Sequence, residues 1–439
     1  MQKQYINDKS FVKNKVISIT KALHLKIFGH EMSPTMRNFL KNISWSFVGI
    51  IFNSGLLFIL NVIAGRLLGP GGYGKYNLVL TIANILCVFV LLAMDIVSIK
   101  FISSSTNEQV KREYLSNSLL VVICSSVSVF LIAIVFYRKV AMLLSVGNAL
   151  MLISVAYAIL LGYKGLLDGF IRSYLLFKFQ TFVKIIESVV VALFFIIAFF
   201  FFEKATYFTY VLSIISGMLF LVIIYLWKIK KYITHFDKNK LLHVLPYAKS
   251  SIFMVAVIIF TTSIDKIFVA MYLGERELGV YSAYLTATTA FIAQLIVLLD
   301  NVFLPMVNSE KNKEIIIKKI DRLAMFFALP AIASIFFISS AVLYLFGKDY
   351  NIHFSYVIVF SVAAYLQMFY SIYRSIIMSI KKPYEIFTKL SYLSPLLYVA
   401  LLSLLLFYNM IELKYVIIIY IIHTVYYFCI TRFSYELAR

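Results

Sequence analysis

Ionisable side chains within long apolar stretches are the residues of this sequence most able to carry chemistry. The clearest are Asp265 and Lys266, in the segment TTSIDKIFVAMYLG. A charged side chain inside a membrane-spanning helix costs at least about 2.5 kcal/mol on insertion scales, so one that remains there is a candidate for binding an ion or a charged solute. Neighbours on a helix point about 100° apart, and we therefore expect one of the two to face a cavity while the other finds a partner elsewhere.

Three further acids lie in apolar stretches. Glu187 lies in the inner half of the fifth predicted span and is either an acid of the transport pathway or the partner of Lys184, three residues before it. Asp95 and Asp300 lie near the predicted cytoplasmic ends of their spans. At those ends an acid can belong to the pathway, cap a helix or pair with a basic loop residue.

Basic residues are rarer inside the predicted spans. Lys266 is the only base expected within one, and Arg66, Arg172 and Arg374 lie close to span ends. At such positions an arginine either contributes to a pathway or extends its guanidinium to the membrane interface.

No pattern typical of an enzyme accompanies these charges. The six histidines form no metal-ligand spacing, the three cysteines lie singly in apolar runs, and HExxH, GxSxG and CxxC are absent. Gly69-x4-Gly74-Lys75 resembles a phosphate-binding loop, but Tyr76 replaces the required Ser or Thr. We therefore expect no catalytic residue, no bound metal and no cofactor.

The composition indicates which elements must position the candidate residues. Of the 439 residues, 62% are hydrophobic and 14% are charged, against about 45–50% and about 25% in soluble domains. Apolar stretches of about 20 residues, the length that crosses a bilayer as a helix, recur along the chain. The sequence predicts an all-α polytopic membrane protein with about twelve spans. They are 42–65, 77–99, 114–136, 141–162, 179–202, 206–227, 250–273, 280–304, 323–346, 354–377, 387–408 and 413–433.

The distribution of charge predicts the orientation. Most of the 41 Lys and Arg residues lie in the two termini and in alternate loops, which places both termini in the cytoplasm. The net charge of +21 is then mainly a topology signal, and its dispersal over short loops argues against a nucleic-acid partner. Residues 1–37 form a basic leader that is either an interfacial amphipathic helix or a solvated tail.

The two halves of the chain share a motif. Residues 68–76 read LGPGGYGKY and residues 273–281 read LGERELGVY, and both fit Leu-Gly-x4-Gly-x-Tyr at an offset of 205 residues. Each copy joins the first and second predicted helices of a six-helix half. We expect an N-lobe at 38–228, a cytoplasmic linker at 229–249 and a C-lobe at 250–439. Parallel six-helix repeats with a site between them are a transporter architecture.

These motifs also carry a resemblance to a known family. NFLKNISWSFVGIIFNSGLLFILNVIAGRLLGPGGYGKYNLV at 38–79, DKIFVAMYLGERELGVYSAY at 265–284, and Pro246 in LLHVLPYAKSSIF are similar to Wzx-type oligosaccharide flippases. These flippases belong to the multidrug/oligosaccharidyl-lipid/polysaccharide exporter (MOP) superfamily. The resemblance covers the chain from about residue 38 to its end and implies two pseudo-symmetric lobes of the kind found in MATE multidrug exporters.

The resemblance also implies a function. Such proteins move undecaprenyl-diphosphate-linked repeat units to the outer leaflet of the bacterial plasma membrane for O-antigen or capsule assembly. Membrane lipids, the repeat-unit polymerase and a chain-length regulator are the implied partners. An exporter of drugs or other small molecules, a membrane-embedded polymerase or acyltransferase, and a non-transporting scaffold are the alternatives.

Overall fold

The described part of the protein is entirely helical. In this computed structural model, residues 34–202, 206–309, 313–378 and 380–437 are described, so the predicted leader lies almost wholly outside them. Fourteen α-helices lie in these ranges. They are α1 Pro34–Leu91, α2 Met94–Ser104, α3 Glu108–Leu143, α4 Asn148–Ser173, α5 Phe177–Phe202, α6 Tyr207–Ile229, α7 Lys238–Thr261, α8 Ile264–Tyr272, α9 Glu275–Ser309, α10 Lys313–Phe346, α11 Phe354–Met378, α12 Lys381–Ser391, α13 Ser394–Phe407 and α14 Leu413–Leu437.

The helices account for the predicted spans. Ten candidate spans in the described residues are long and apolar enough to cross a membrane. One of them, Ile51–Leu91, overlaps both of the first two predicted spans, 42–65 and 77–99, because α1 runs through a kink at Gly69. The eighth predicted span lies within α9. Large apolar side chains such as Phe201 and Leu329 are about four-fifths exposed, as expected of helices that face lipid.

Three spans are broken inside their apolar stretch. Between α1 and α2, Leu92 and Ala93 adopt positive φ angles of 47° and 53°. Between α7 and α8, the hydroxyl of Thr262 donates to the carbonyl oxygen of Ile258 at 3.0 Å, a local bond that competes with the helix. Between α12 and α13, Pro395 has no backbone N–H to donate to a carbonyl of the preceding helix. Helix α12 therefore ends at Ser391. Each break leaves backbone polar groups within the bundle.

The chain forms two six-span lobes, α1 to α6 and α7 to α14. The segment that joins them is fastened to the first lobe, because Asn117 of α3 donates to the carbonyl oxygen of Asp237 at 2.8 Å and accepts from its backbone N–H at 3.1 Å. The Asp237 carboxylate in turn caps the start of α7 by accepting from the N–H of Asn239 at 2.8 Å. Residues 238–249 of the predicted linker are therefore helical.

The lobes meet through the two copies of the Leu-Gly motif. Gly69 and Gly274 both have positive φ, 64° and 89°, so the chain turns in the same manner at equivalent positions. A Cβ atom at Gly74 would overlap the carbonyl oxygen of Glu275, and one at Gly279 would overlap the carbonyl oxygen of Pro70. These two contacts are related by the 205-residue offset. We call this contact the glycine seam.

Polar and aromatic contacts surround the glycine seam. Lys75 Nζ lies 3.3 Å from Glu275 Oε2, and the Tyr73 hydroxyl lies 3.0 Å from Thr286 Oγ1. The Tyr350 hydroxyl donates to the carbonyl oxygen of Gly65 at 2.6 Å. All three join one lobe to the other at the end of the bundle that the charge distribution predicts to lie outside the cell.

Candidate functional site

A cavity inside the second lobe brings together three of the predicted residues. It has a volume of about 620 Å³, and its lining includes Asp265, Lys266 and Arg374. Helices α7 to α9 and α11 to α14 all contribute to its wall. The volume falls within the range of about 300–1,000 Å³ that is usual for small-molecule sites.

The Asp265 carboxylate is held firmly on the cavity wall. The side chain is 2% exposed, and it lies in the first turn of α8, directly after the break in the seventh span. Oδ2 accepts from the Tyr281 hydroxyl at 2.5 Å, and Oδ1 accepts from the backbone N–H of Lys266 at 2.8 Å. Its position at a helix N-terminus adds a favourable dipole for the ionised form.

Lys266 points differently from its neighbour. Its Nζ donates to the carbonyl oxygen of Thr262 at 3.3 Å, so the side chain folds back toward the break. The side chain remains half-buried, whereas Asp265 is fully buried. We expected only one of the two neighbours to face a cavity, whereas both Asp265 and Lys266 line this one.

A second broken helix crosses the first beside the cavity. Helix α13 contacts both α7 and α8, and the ring centroids of Tyr392 and Phe253 lie 4.9 Å apart. Ser394, the first residue of α13, has its hydroxyl 2.8 Å from His423 Nε2. Broken membrane helices place backbone carbonyls and helix termini where they can bind ions or charged solutes.

Aromatic side chains form much of the remaining wall. Gln367 Nε2 donates to the Tyr420 hydroxyl at 2.7 Å, and the His423 ring stacks on Tyr398 with centroids 4.4 Å apart. Six tyrosines line the cavity. They are Tyr370, Tyr384, Tyr392, Tyr398, Tyr420 and Tyr427. The sequence offered no signal for these residues beyond a high tyrosine content.

The first lobe holds a separate network of ion pairs between α4 and α5. Lys164 Nζ lies 2.5 Å from Glu187 Oε1, and Lys184 Nζ lies 2.9 Å from Asp168 Oδ2. Gln180 also donates to Asp168 Oδ1 at 2.8 Å. The Glu187 side chain is 3% exposed and that of Lys164 is 21% exposed, so the acid lies behind the base. We call these residues the α4–α5 ion network.

This network corrects two predictions. Lys266 is not the only base within a candidate span, because Lys164 and Lys184 lie on α4 and α5, both of which are long and apolar enough to cross a membrane. Glu187 pairs with Lys164 of the neighbouring helix and not with Lys184 of its own. The sequence did contain a signal for this network. Lys164 and Asp168 lie four residues apart on α4, and Lys184 and Glu187 lie three residues apart on α5, so each helix carries one base and one acid on the same face.

Three other predicted residues, Asp95, Arg172 and Arg66, do not line the cavity. Asp95 occupies the first turn of α2, where its backbone packs against Gly169. Arg172 is exposed in the last turn of α4. Arg66 is exposed on α1, with its Cγ atom near Gly347 at the seam end of the bundle. Asp300 lies on α9, and its side chain lies outside the described residues.

A metal centre has no support in the described ranges. Within them, no group of three or more His, Cys, Asp or Glu residues is arranged to hold a metal ion. The three cysteines are free and lie on different helices.

Solved structures with the same architecture are available. A multidrug-resistance MATE-family transporter of the MOP superfamily in an inward-facing conformation matches with a TM-score of 0.69 at 12% identity, over 90% of this chain and 98% of the other. An outward-facing structure of such a transporter matches at 0.61 and 15% identity, over 91% and 95%. A MATE structure in a bent conformation matches at 0.60 and 13% identity, over 91% and 95%. The fold is therefore that of the MATE proteins.

Sequence comparison identifies the family. No protein of curated function matches the chain at a significant level. The model of the family described as polysaccharide biosynthesis protein matches residues 39–310, which is more than half of the chain and includes both Leu-Gly motifs. The protein is thus a multi-pass membrane member of the polysaccharide biosynthesis protein family, built on the MATE fold.

Proposed function

We propose that the protein is a Wzx-type flippase that moves undecaprenyl-diphosphate-linked oligosaccharide repeat units from the cytoplasmic to the outer leaflet of a bacterial plasma membrane. The glycine seam is the observation that carries this proposal. Two lobes of a polysaccharide-biosynthesis protein meet through duplicated turns, and repeats joined in this way can rock against each other around a site between them. Both termini lie in the cytoplasm, and the products feed O-antigen or capsule assembly.

The contacts at the seam support an inward-facing state for the present arrangement. Lys75–Glu275, Tyr73–Thr286 and the Tyr350–Gly65 bond all close the predicted outer end. The match to the inward-facing MATE transporter is also higher than the match to the outward-facing one. In this state the lobes receive the substrate from the cytoplasmic leaflet.

The chemistry of translocation follows from the charge of the substrate. A diphosphate cannot cross hydrocarbon unaided, so its headgroup moves through the polar interior while the polyprenyl tail stays in lipid. Lys266 and Arg374 line the cavity and can bind anionic groups of the substrate, whereas Lys164 and Lys184 of the first lobe are each paired with an acid. Asp265, between the two broken helices, is the acid we assign to a coupling proton or sodium ion, and Glu187 is the second candidate.

The test is a deletion strain in which lipid-linked glycan is measured on each leaflet. Complete repeat units accumulate on the cytoplasmic side and surface polysaccharide is lost if the protein is the flippase. The unaltered gene, supplied in trans, restores both. Normal delivery of single repeat units that then stay unpolymerised contradicts the proposal and assigns the chain to polymerisation.

Export of drugs is the second candidate function, favoured by the match to multidrug MATE transporters. The same deletion strain distinguishes it. Increased sensitivity to cationic drugs with normal surface polysaccharide would support the exporter.

The repeat-unit polymerase and the chain-length regulator are the protein partners we propose for the flippase.

A further inference from the structure

We propose that the predicted cytoplasmic end of the first lobe carries a binding site for the phosphate group of an anionic phospholipid. The site lies between the start of α3, the end of α4 and the short segment that follows α6. Such a lipid belongs to the surrounding leaflet and is not the translocated substrate, so the site goes beyond the proposed flippase function. We call it the Arg112 cluster, and its members are Arg112, Tyr174, Lys231 and Tyr232.

Two tyrosines give the Arg112 cluster a fixed frame. The rings of Tyr174 and Tyr232 pack together with centroids 4.7 Å apart and planes inclined by 34°. The backbone N–H of Thr234, two residues after Tyr232, donates to Ser116 Oγ of α3 at 2.8 Å. This bond ties the segment after α6 to the helix that carries Arg112, so the two sides of the site keep their spacing.

Two bases lie against the Tyr232 ring. The guanidinium carbon of Arg112 is 5.9 Å from the ring centroid, and Lys231 Nζ is 4.8 Å from it. Lys231 is exposed, whereas Arg112 is half-buried. Neither base forms an ion pair within the part of the chain that the structure describes. Both are therefore available to an anion that approaches the ring pair.

The acids of the same surface have partners of their own. Glu108 Oε1 lies 2.6 Å from Lys111 Nζ, so these two charges compensate each other. Glu113 accepts from Gln109 Nε2 at 3.3 Å, one turn back along α3. An anion at the cluster thus meets a guanidinium that no described acid pairs with.

Two donors of the cluster are buried and lack an acceptor. Arg112 Nε and the Tyr174 hydroxyl are both enclosed, and neither has a hydrogen-bond partner among the described residues. Buried donors are normally satisfied, because a donor that has lost water and gained no acceptor is unfavourable. Arg112 as a whole is only half-buried, so its guanidinium can turn toward a ligand at the surface. A phosphate offers several oxygens, and a guanidinium can bind two of them at once.

The depth of the cluster favours a lipid over a soluble anion. Trp227 of α6, about one turn before Tyr232, is 66% exposed, and Lys230 Nζ lies 5.8 Å from its ring centroid. Exposed tryptophans mark the headgroup level of a membrane. Leu175, next to Tyr174, is 64% exposed and offers an apolar surface at the same end. The cytoplasmic leaflet, where the charge distribution places this end, carries anionic lipids.

Two other phosphate compounds fit the cluster less well. Phosphatidylcholine carries an ammonium group beside its phosphate, and Arg112 and Lys231 would repel it. Inorganic phosphate has no acyl chain to hold it at the level of Trp227. Phosphatidylglycerol matches the bases, the two unsatisfied donors and the depth together.

The test uses Trp227 as a reporter of the neighbouring lipid. Trp45→Phe makes Trp227 the only tryptophan of the full-length chain, which is reconstituted in dioleoylphosphatidylcholine vesicles. Brominated phosphatidylglycerol or brominated phosphatidylcholine is then added to quench its fluorescence. We expect phosphatidylglycerol to bind about fivefold or more tightly, the ratio that one base near an anionic lipid supplies. Arg112→Gln should remove most of this preference, and Lys231→Gln should remove part of it.

Three further variants define the role of each group. Arg138→Gln is the matched control, because it removes an exposed arginine at the opposite end of α3 and should keep the full preference. Arg112→Lys keeps the charge but loses the paired N–H donors, so it should retain less than half of the preference. Tyr174→Phe removes only the buried hydroxyl and should weaken binding of phosphatidylglycerol. Thermal unfolding of every variant in phosphatidylcholine separates loss of lipid binding from loss of folding.

Several results would overturn the lipid site. They are equal quenching by the two lipids, an equal loss of preference in Arg138→Gln, and full preference in Arg112→Lys, which would reduce the effect to surface charge. Loss of the preference in inorganic phosphate, but not in chloride of equal ionic strength, would assign the cluster to free phosphate and also overturn it. None of these results bears on the flippase proposal, which is decided by the repeat units on each leaflet of the deletion strain.

Discussion

Adding a single methyl group at the glycine seam should force the two lobes apart. A Cβ atom at Gly279 would lie 2.7 Å from the carbonyl carbon of Pro70 and 3.0 Å from the backbone nitrogen of Gly74. Carbon atoms in contact prefer about 3.5–4.0 Å, and the carbonyl oxygen of Pro70 would lie closer still, at 1.8 Å, so the backbones must separate by more than about 1 Å. The obstacle is backbone on both sides, and no side-chain rotation can relieve it. Gly279→Ala and Gly74→Ala should therefore destabilise the seam to a similar degree.

The expected size of the effect follows from the cost of overpacking. Inserting a methyl group into a tight contact costs about 1–3 kcal/mol, which corresponds to a shift of about 5- to 150-fold in the equilibrium between the closed and open seam. The readout is labelling of Thr286→Cys by a membrane-impermeant maleimide, in a background that lacks Cys87, Cys124 and Cys429. We expect the labelling rate to rise within that range and the flipping rate to fall.

Gly71→Ala is the matched control for this prediction. A Cβ at Gly71 meets nothing within 4 Å, although the residue lies in the same turn of the chain. It should label and flip as the unaltered protein does. Equal labelling of Gly74→Ala, Gly279→Ala and Gly71→Ala would refute the argument that the glycines are required by close approach of the lobes.

Three further substitutions test the charges inside the lobes. Asp265→Asn should remove the dependence of flipping on a proton or sodium gradient, measured in vesicles, because the variant cannot exchange its charge. Lys164→Gln should lower the free energy of unfolding by about 3–5 kcal/mol by leaving Glu187 buried without its partner, and adding Glu187→Gln should recover part of that loss in thermal unfolding. Arg432→Gln should cost about 1 kcal/mol, since Arg432 Nη2 lies 3.0 Å from Asp321 Oδ2 and both are only partly exposed.

Each of these variants has a control at an exposed position. The controls change the same type of side chain without removing a buried partner. They are Glu412→Gln for the acid, Lys139→Gln for the lysine and Arg138→Gln for the arginine. Unchanged gradient dependence in Asp265→Asn would exclude it as the coupling acid. A Lys164→Gln protein as stable as Lys139→Gln would show that the α4–α5 ion network contributes little. No loss of stability in Arg432→Gln relative to Arg138→Gln would count against the third prediction.

The helices and their grouping were predictable because membrane solvation imposes a simple pattern. A stretch such as Phe354–Met378 must be apolar and about 20 residues long, and both properties can be read directly. The Leu-Gly motifs were also recognisable in the sequence. The positive φ angles at Gly69 and Gly274 explain why glycine occupies both turns. The contact between Gly74 and Glu275 was not predictable, since it depends on how the lobes pack.

The ionisable sites were predictable only one residue at a time. Asp265 and Lys266 stand out because each is isolated in an apolar run. Glu187 also stood out, but its partner Lys164 did not. Each of the two has an oppositely charged neighbour one helical turn away, and this arrangement imitates a pair within one helix. The actual pairs cross between helices, and that choice depends on the rotation of α4 relative to α5. Periodicity within a single helix carries no information about it.

The two related contacts of the glycine seam are not identical in sequence. Its two backbone contacts are isologous, since the same surface occurs on both lobes, as in a symmetric dimer of two identical chains. In such a dimer a single mutation would alter both contacts at once. A single chain is free of that constraint, and its two contacts differ. Lys75 pairs with Glu275 at one, whereas the equivalent positions at the other are Val280 and Pro70, which carry no charge. One contact is therefore accompanied by an ion pair that salt can screen and the other has no equivalent pair, so raising the ionic strength should weaken the lobes' closure mainly at the first.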